Sequence, residues 1–128
     1  MPEELILIVE DNEKNLKLVR DVLEFNGYET IAARNAADAV ALATARQPSL
    51  VLMDIQLPDA DGITALRRLR SNSETASMVV VALTAFAMKD DRERLLGAGF
   101  DGYLEKPIDV ISFPAQVGAL LRSQQGAE

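Results

Sequence analysis

The chain has 128 residues, is 48% hydrophobic and 26% charged, and carries a formal net charge of −7. That balance fits one globular domain with a single substantial core, and the acidity argues against nucleic acid as a partner, because phosphate binding needs a basic surface. With neither cysteine nor histidine, the chain offers no disulfide, no thiolate metal site, no imidazole base and no phosphohistidine of its own.

Apolar runs and helix signals alternate along the chain. Leu5–Val9 is continuously apolar, as in a strand buried on both faces. Asn12 is placed to cap a helix that runs to Asn26 and stops at Gly27. Tyr28–Ala33 fits a second strand. Asn35 caps an alanine-rich helix through Arg46, with Pro48 ending it. Leu50–Met53 is a third strand, and Pro58 and Gly62 bracket the loop after it. Asp61 caps a helix through Arg70, and Val79–Leu83 is a fourth strand. A helix is expected from about Met88 to Leu96, closing in the Gly97-Ala98-Gly99 turn. Gly102–Leu104 is a short fifth strand, and a last helix reaches about Leu121, leaving Ser123–Glu128 as a frayed tail. Five strand–helix units with short loops imply a parallel sheet covered by helices on both faces. No segment is apolar for long enough to suggest membrane insertion; Met78–Met88 is too short. The N-terminus lacks the basic and apolar regions of a signal peptide, so a cytoplasmic location is expected.

Glu10, Asp11, Asp54, Thr84 and Lys106 each follow or end one of these apolar runs. In an open α/β sheet, ligands bind beyond the carboxyl ends of the strands, where the strand order reverses. Three carboxylates gathered there repel one another unless a cation compensates, and Mg²⁺ suits an all-oxygen site. Asp54 is then placed to attack phosphorus, with Mg²⁺ and Lys106 neutralising charge on the phosphoryl oxygens and the Thr84 hydroxyl donating a hydrogen bond. Each residue alone has an ordinary reading: Glu10-Asp11-Asn12 as a turn and cap, Asp54 as a solvated strand end, Thr84 as a hydroxyl bonded to local backbone, Lys106 as a surface lysine. All of these readings would have to hold together at four strand ends.

The stretch Met53-Asp-Ile-Gln-Leu-Pro-Asp-Ala-Asp-Gly62 carries a resemblance. Residues 4 to about 122 resemble the receiver domain of two-component response regulators. The matching features are the acidic pair Glu10 and Asp11, the acceptor Asp54 with Pro58 and Gly62 after it, Thr84 followed by Ala85, the aromatic Tyr103, and Lys106-Pro107. The resemblance implies a flavodoxin-like (CheY-like) doubly wound sheet of five parallel strands, order 2-1-3-4-5, with five helices. It implies that Asp11, Asp54 and the backbone carbonyl of Gln56 bind Mg²⁺, that Glu10 acts through water, and that the Lys106–Pro107 bond is cis. It also implies a signalling switch rather than an enzyme acting on a separate substrate. Its phosphodonor would be a sensor histidine kinase or a histidine phosphotransfer protein, and its output a downstream protein target. Since the sequence stops after the fifth helix, a stand-alone single-domain receiver over 1–128, monomeric or weakly dimeric, is expected. Glu10–Leu18 and Thr84–Lys89 further resemble the DivK-type cell-division and polarity receivers, and also the receivers of hybrid histidine kinases.

In this family Thr84 would move toward the phosphoryl group and Tyr103 rotate into the vacated space; the alternative for Tyr103 is a packed ring with its hydroxyl at the surface. The readout face would be helix four, strand five and helix five. Pro114 implies either that the last helix starts late, capped by Ser112, or that it is kinked. On the first helix, Leu16, Val19 and Leu23 form one stripe and Leu18, Val22 and Phe25 another, wider than one core face needs. The expectation is that Leu18 and Val22 are exposed and, with Asn15 and Pro107, dock the histidine-bearing partner. Phe86, two residues past Thr84, is either a screen over Asp54 that slows hydrolysis or a plain surface apolar group. A flavin carrier would share the fold, but Glu10-Asp11 would repel its phosphate. A hydrolase with an Asp nucleophile would place a second Asp where Gln56 stands. The remaining alternative is a phosphorylation-independent adaptor.

Overall fold

In the computed structural model, which describes residues 4–85 and 89–125, five strands form one parallel sheet: β1 (Leu5–Val9), β2 (Glu29–Ala33), β3 (Leu50–Asp54), β4 (Val80–Thr84) and β5 (Gly102–Glu105). The strand order is β2-β1-β3-β4-β5, as expected. Helices α1 (Glu13–Phe25), α2 (Ala36–Arg46), α3 (Gly62–Arg70), α4 (Lys89–Ala98) and α5 (Phe113–Gln125) connect and follow the strands.

The two-residue period of a strand sorts the apolar runs into two cores. Leu7, Val9, Val51, Met53, Val80 and Ala82 face α2, α3 and α4, where Ala39, Ala43, Leu66, Leu69 and Leu95 are buried. Ile6, Ile8, Leu50, Leu52, Val81 and Leu83 face α1 and α5, where Leu16, Val19, Leu23, Phe113, Val117 and Leu121 are buried. Every residue of β3 and β4 is buried, which is why their sequences are continuous rather than alternating.

Side-chain caps start three helices where the sequence placed them. Asn12 Oδ1 accepts from Asn15 N–H at 3.0 Å, Asn35 Oδ1 from Asp38 N–H at 2.8 Å, and Asp61 Oδ1 from Thr64 N–H at 2.7 Å. The Thr64 bond holds the exposed Asp61 carboxyl below the usual aspartate range. α2 ends at Arg46 as expected, with Gln47 capping it in the left-handed region (φ 49°) just before Pro48. The ends of α4 and α5 differ more from expectation. α4 continues through Gly97 to Ala98, and Gly99 (φ 115°) makes the turn. α5 starts late: Pro114 stands second in the helix, where its missing N–H costs nothing, and Ser112 C=O accepts from Gln116 N–H. The helix runs on to Gln125, so residues 123–125 of the expected tail are helical. Met88, expected to begin the fourth helix, lies outside the described residues.

Candidate functional site

β1 and β3 are adjacent, and the chain winds away from them in opposite directions, toward β2 and toward β4. That reversal opens a crevice at their carboxyl ends. Glu10 follows β1 and its N–H donates to Ala33 C=O at 3.0 Å, which continues the β1–β2 ladder and fixes where the carboxyl starts. Asp54 is the last residue of β3 and only 6% exposed. Thr84 ends β4, is buried, and its carbonyl accepts from Lys106 N–H at 2.8 Å. The Lys106–Pro107 bond is cis.

The side chains converge. Lys106 Nζ lies 2.8 Å from Glu10 Oε1 and 2.9 Å from Asp54 Oδ2. Asn12 N–H donates to Glu10 Oε2 at 3.2 Å, and Gln56 N–H to Asp54 Oδ1 at 3.0 Å. Glu10 is almost wholly buried. Burial pushes its carboxyl above the ordinary range; the Lys106 ammonium opposes that, and Asp54 adds to it. Burial works against the charge on Lys106, but Glu10 and Asp54 together outweigh it and hold the ammonium above the usual lysine value.

Asp11 stands exposed at the mouth. One carboxylate oxygen from each of Glu10, Asp11 and Asp54 lies within 4.8 Å of the others. These groups, with Asn15, Gln56 and Lys106, line an open cleft of about 420 Å³. Three carboxylates thus face one ammonium, a surplus of negative charge that a divalent cation would offset. The donors are all oxygen and one side is open to water, which fits Mg²⁺ rather than a metal that needs imidazole or thiolate. A second small hollow beside it is lined by Asp54, Gln56, Thr84, Ala85 and Lys106.

The glycine of the Asp54–Gly62 stretch has a steric reason. A Cβ on Gly62 would lie 2.9 Å from Asp54 O and from Ile55 Cα, and Gly62 N–H donates to Ile55 C=O at 2.7 Å. Close packing of the α3 start against the end of β3 therefore requires the absence of a side chain.

Residues 6–117 match the response regulator receiver domain. The chain belongs to that family. It is 48% identical over 108 residues to the polar-differentiation response regulator DivK of Brucella anthropi, covering 84% of this chain and 88% of that protein. Among solved structures it is similar to the receiver domain of the sensor histidine kinase PA1611 from Pseudomonas aeruginosa, with TM-score 0.84, 32% identity, and coverage of 98% of this chain and 100% of that one. That structure has a magnesium ion coordinated in its active-site cleft. It is also similar to the CheY-like receiver of Methanospirillum hungatei, with TM-score 0.88, 28% identity, and coverage of 99% and 100%. This receiver is thus a signalling domain of a two-component system, with the fold that the sequence implied.

Around the receiver site, Asn15, Leu18 and Pro107 share a small groove beside Lys106, also lined by Ile108. Leu18 is 38% exposed. Val22 corrects the expectation: it is 8% exposed and belongs to the core shared with Phe113 and Val117. α5 covers that flank of α1, and the exposed end of the second stripe is Phe25 instead. Tyr103 is half-buried against the α2–α3–α4 core. Its hydroxyl accepts from Arg92 Nη1 at 3.0 Å, and the Arg92 guanidinium lies 5.8 Å from the ring centre. Phe86 lies outside the described residues.

Three features escaped sequence reasoning. Asp59 accepts from the N–H groups of Ala36 and Ala37 at 2.7 and 3.1 Å. Arg34 Nη2 donates to Asp11 C=O at 3.2 Å. Arg70 and Asp101 pair at 2.9 Å at the opposite edge of the sheet. Their partners are 22 to 31 residues away, and no periodicity or local motif signals such pairs.

Proposed function

We propose that Asp54 accepts a phosphoryl group from a phosphohistidine on a sensor histidine kinase or a histidine phosphotransfer protein. An Asp54 carboxylate oxygen attacks phosphorus, the phosphorus–nitrogen bond breaks, and the imidazole leaves with the electron pair and regains a proton from solvent. The product is an acyl phosphate on Asp54. The observation that carries this reading is the Lys106 ammonium set between Glu10 and Asp54, at 2.8 and 2.9 Å, beside an open cleft. Lys106 screens the attacking carboxylate from its neighbour and can follow the incoming phosphoryl oxygens. Gln56 N–H orients the Asp54 carboxyl through Oδ1, and the Thr84 hydroxyl would hydrogen-bond the phosphoryl group. Mg²⁺, held by Asp11, Asp54 and the Gln56 carbonyl with Glu10 acting through water, would neutralise charge on the transferring group.

The new charge at Asp54 would bias an equilibrium between two arrangements of the α4–β5–α5 face. Tyr103 would exchange its Arg92 contact for an inward position as Thr84 moves, and that face would engage a downstream protein. Asn15, Leu18 and Pro107 would seat the phosphodonor beside Asp54. The DivK relatives make cell polarity or division the favoured setting.

Acetyl phosphate with Mg²⁺ tests the chemistry, with Asp54→Asn as control. Labelling that vanishes in Asp54→Asn and on chelation supports the switch. A folded wild-type protein that takes no label points instead to an adaptor that works without phosphorylation.

A further inference from the structure

Residues 34–37, the β2–α2 turn and the first two residues of α2, lie outside the acid–lysine cluster, yet they hold both loops that flank the cleft. On one side, Arg34 Nη2 donates to the carbonyl of Asp11 at 3.2 Å, and Nη1 lies 3.6 Å from Glu13 Oε1. On the other, Ala36 and Ala37 N–H donate to the two carboxylate oxygens of Asp59 at 2.7 and 3.1 Å. Asp59 belongs to the loop that carries Gln56 and is closed at its base by the Gln56–Asp61 bridge. Ala36 N–H and Ala37 N–H belong to the first turn of α2, where such groups have no partner inside the helix. Bonding to them first, against a smaller cost of burial, holds the Asp59 carboxyl below the usual aspartate range.

We infer that residues 34–37 are a strut that sets the span between the Asp11 loop and the Gln56 loop, and that Arg34 and Asp59 are positioning residues for the cation site. This rests on the Mg²⁺ reading above only for its second readout. The strut predicts a sign that charge alone does not. Removing the Arg34 cation beside a cation site would tighten Mg²⁺ binding if charge were all that mattered. If Arg34 positions Asp11, its removal loosens the site and weakens binding.

The test uses the full chain as wild type, Arg34→Ala, Arg34→Lys and Asp59→Ala, all substitutions at exposed positions. Hydrogen exchange is read at the Asn12 and Gln56 amides, and Mg²⁺ affinity by calorimetry. The strut predicts about three- to tenfold faster exchange at Asn12 in Arg34→Ala and at Gln56 in Asp59→Ala, with Mg²⁺ affinity lowered by a similar factor in both. Arg34→Lys, which keeps the charge and a donor, should recover part of the loss. Wild-type exchange at both amides overturns the strut, as does tighter Mg²⁺ binding by Arg34→Ala. A wild-type chain that binds no Mg²⁺ overturns the cation reading instead, and the exchange measurement then decides the strut alone.

Discussion

The two edges of the sheet each carry a buried or half-buried ion pair, and they are built to opposite ends. At the amino edge, Arg70 spends its donors on the carbonyls of Ala76, Met78 and Gly99 and on Asp101 Oδ2, at 2.6 to 3.0 Å. The same Asp101 oxygen accepts from Val80 N–H at 2.8 Å. One cation meets one anion, and the surrounding backbone satisfies both. At the carboxyl edge, Lys106 meets two carboxylates with a third nearby, and the surplus charge stands beside an open cleft. A satisfied pair locks a fold; an unbalanced one stores a demand for a ligand.

That contrast can be broken from either side. The largest effect is expected from Asp54→Asn. It should abolish labelling by acetyl phosphate yet leave the urea midpoint of the metal-free protein unchanged or higher, since one repelling carboxylate is gone. Arg70→Ala should do the reverse: a loss of about 2–3 kcal/mol in urea unfolding, because three carbonyls and Asp101 lose their partner together, with labelling of the folded fraction retained. Gly62→Ala probes the join between fold and site. Its Cβ would press on Asp54 O and Ile55 Cα at 2.9 Å, so a loss of about 1–3 kcal/mol should come with slower labelling.

Smaller effects sharpen the comparison. Asp61 has a lowered carboxyl pKa because Thr64 N–H bonds its charged form. Its contribution as a cap, about 1 kcal/mol, is therefore complete above the ordinary value of 3.8 and is lost as pH falls through the lower folded value. Wild type and Asp61→Ala should differ in urea midpoint at neutral pH and converge in strong acid; a gap that persists there refutes this account. Tyr103→Phe removes only the exposed hydrogen bond from Arg92 and keeps the ring under the guanidinium, so its stability cost should be a few tenths of a kcal/mol. Its effect on the difference between phosphorylated and unphosphorylated binding of a partner should be larger than that.

How much of this was legible beforehand follows from the kind of signal each feature leaves. Strands buried on both faces leave continuous apolar runs, so their ends, and with them Glu10, Asp54 and Thr84, could be located to within a residue. Caps such as Asn12, Asn35 and Asp61 act over three residues and are read as easily. Val22 was misread because its exposure is decided by α5, far along the chain, and not by the periodicity of α1. The end of α4 at Ala98 was less legible, because Gly97 and Gly99 both offer a stop and only the positive φ at Gly99 decides between them. Arg70–Asp101, Asp59 and Arg34 are long-range pairs, and a surface-type residue gives no hint of a partner across the fold.

The face that α2 turns to the sheet is made of alanines, with Ala36, Ala39 and Ala43 all fully buried. Such a contact has almost no methylene to lose, so mutation can scarcely weaken it by truncation. It also has no room to gain one: any larger side chain must lift the helix, and with it the Ala36 and Ala37 amides that hold Asp59. Sequence drift on this face is therefore confined on one side only, and enlarging substitutions there should reach the acid–lysine cleft from a helix that does not line it.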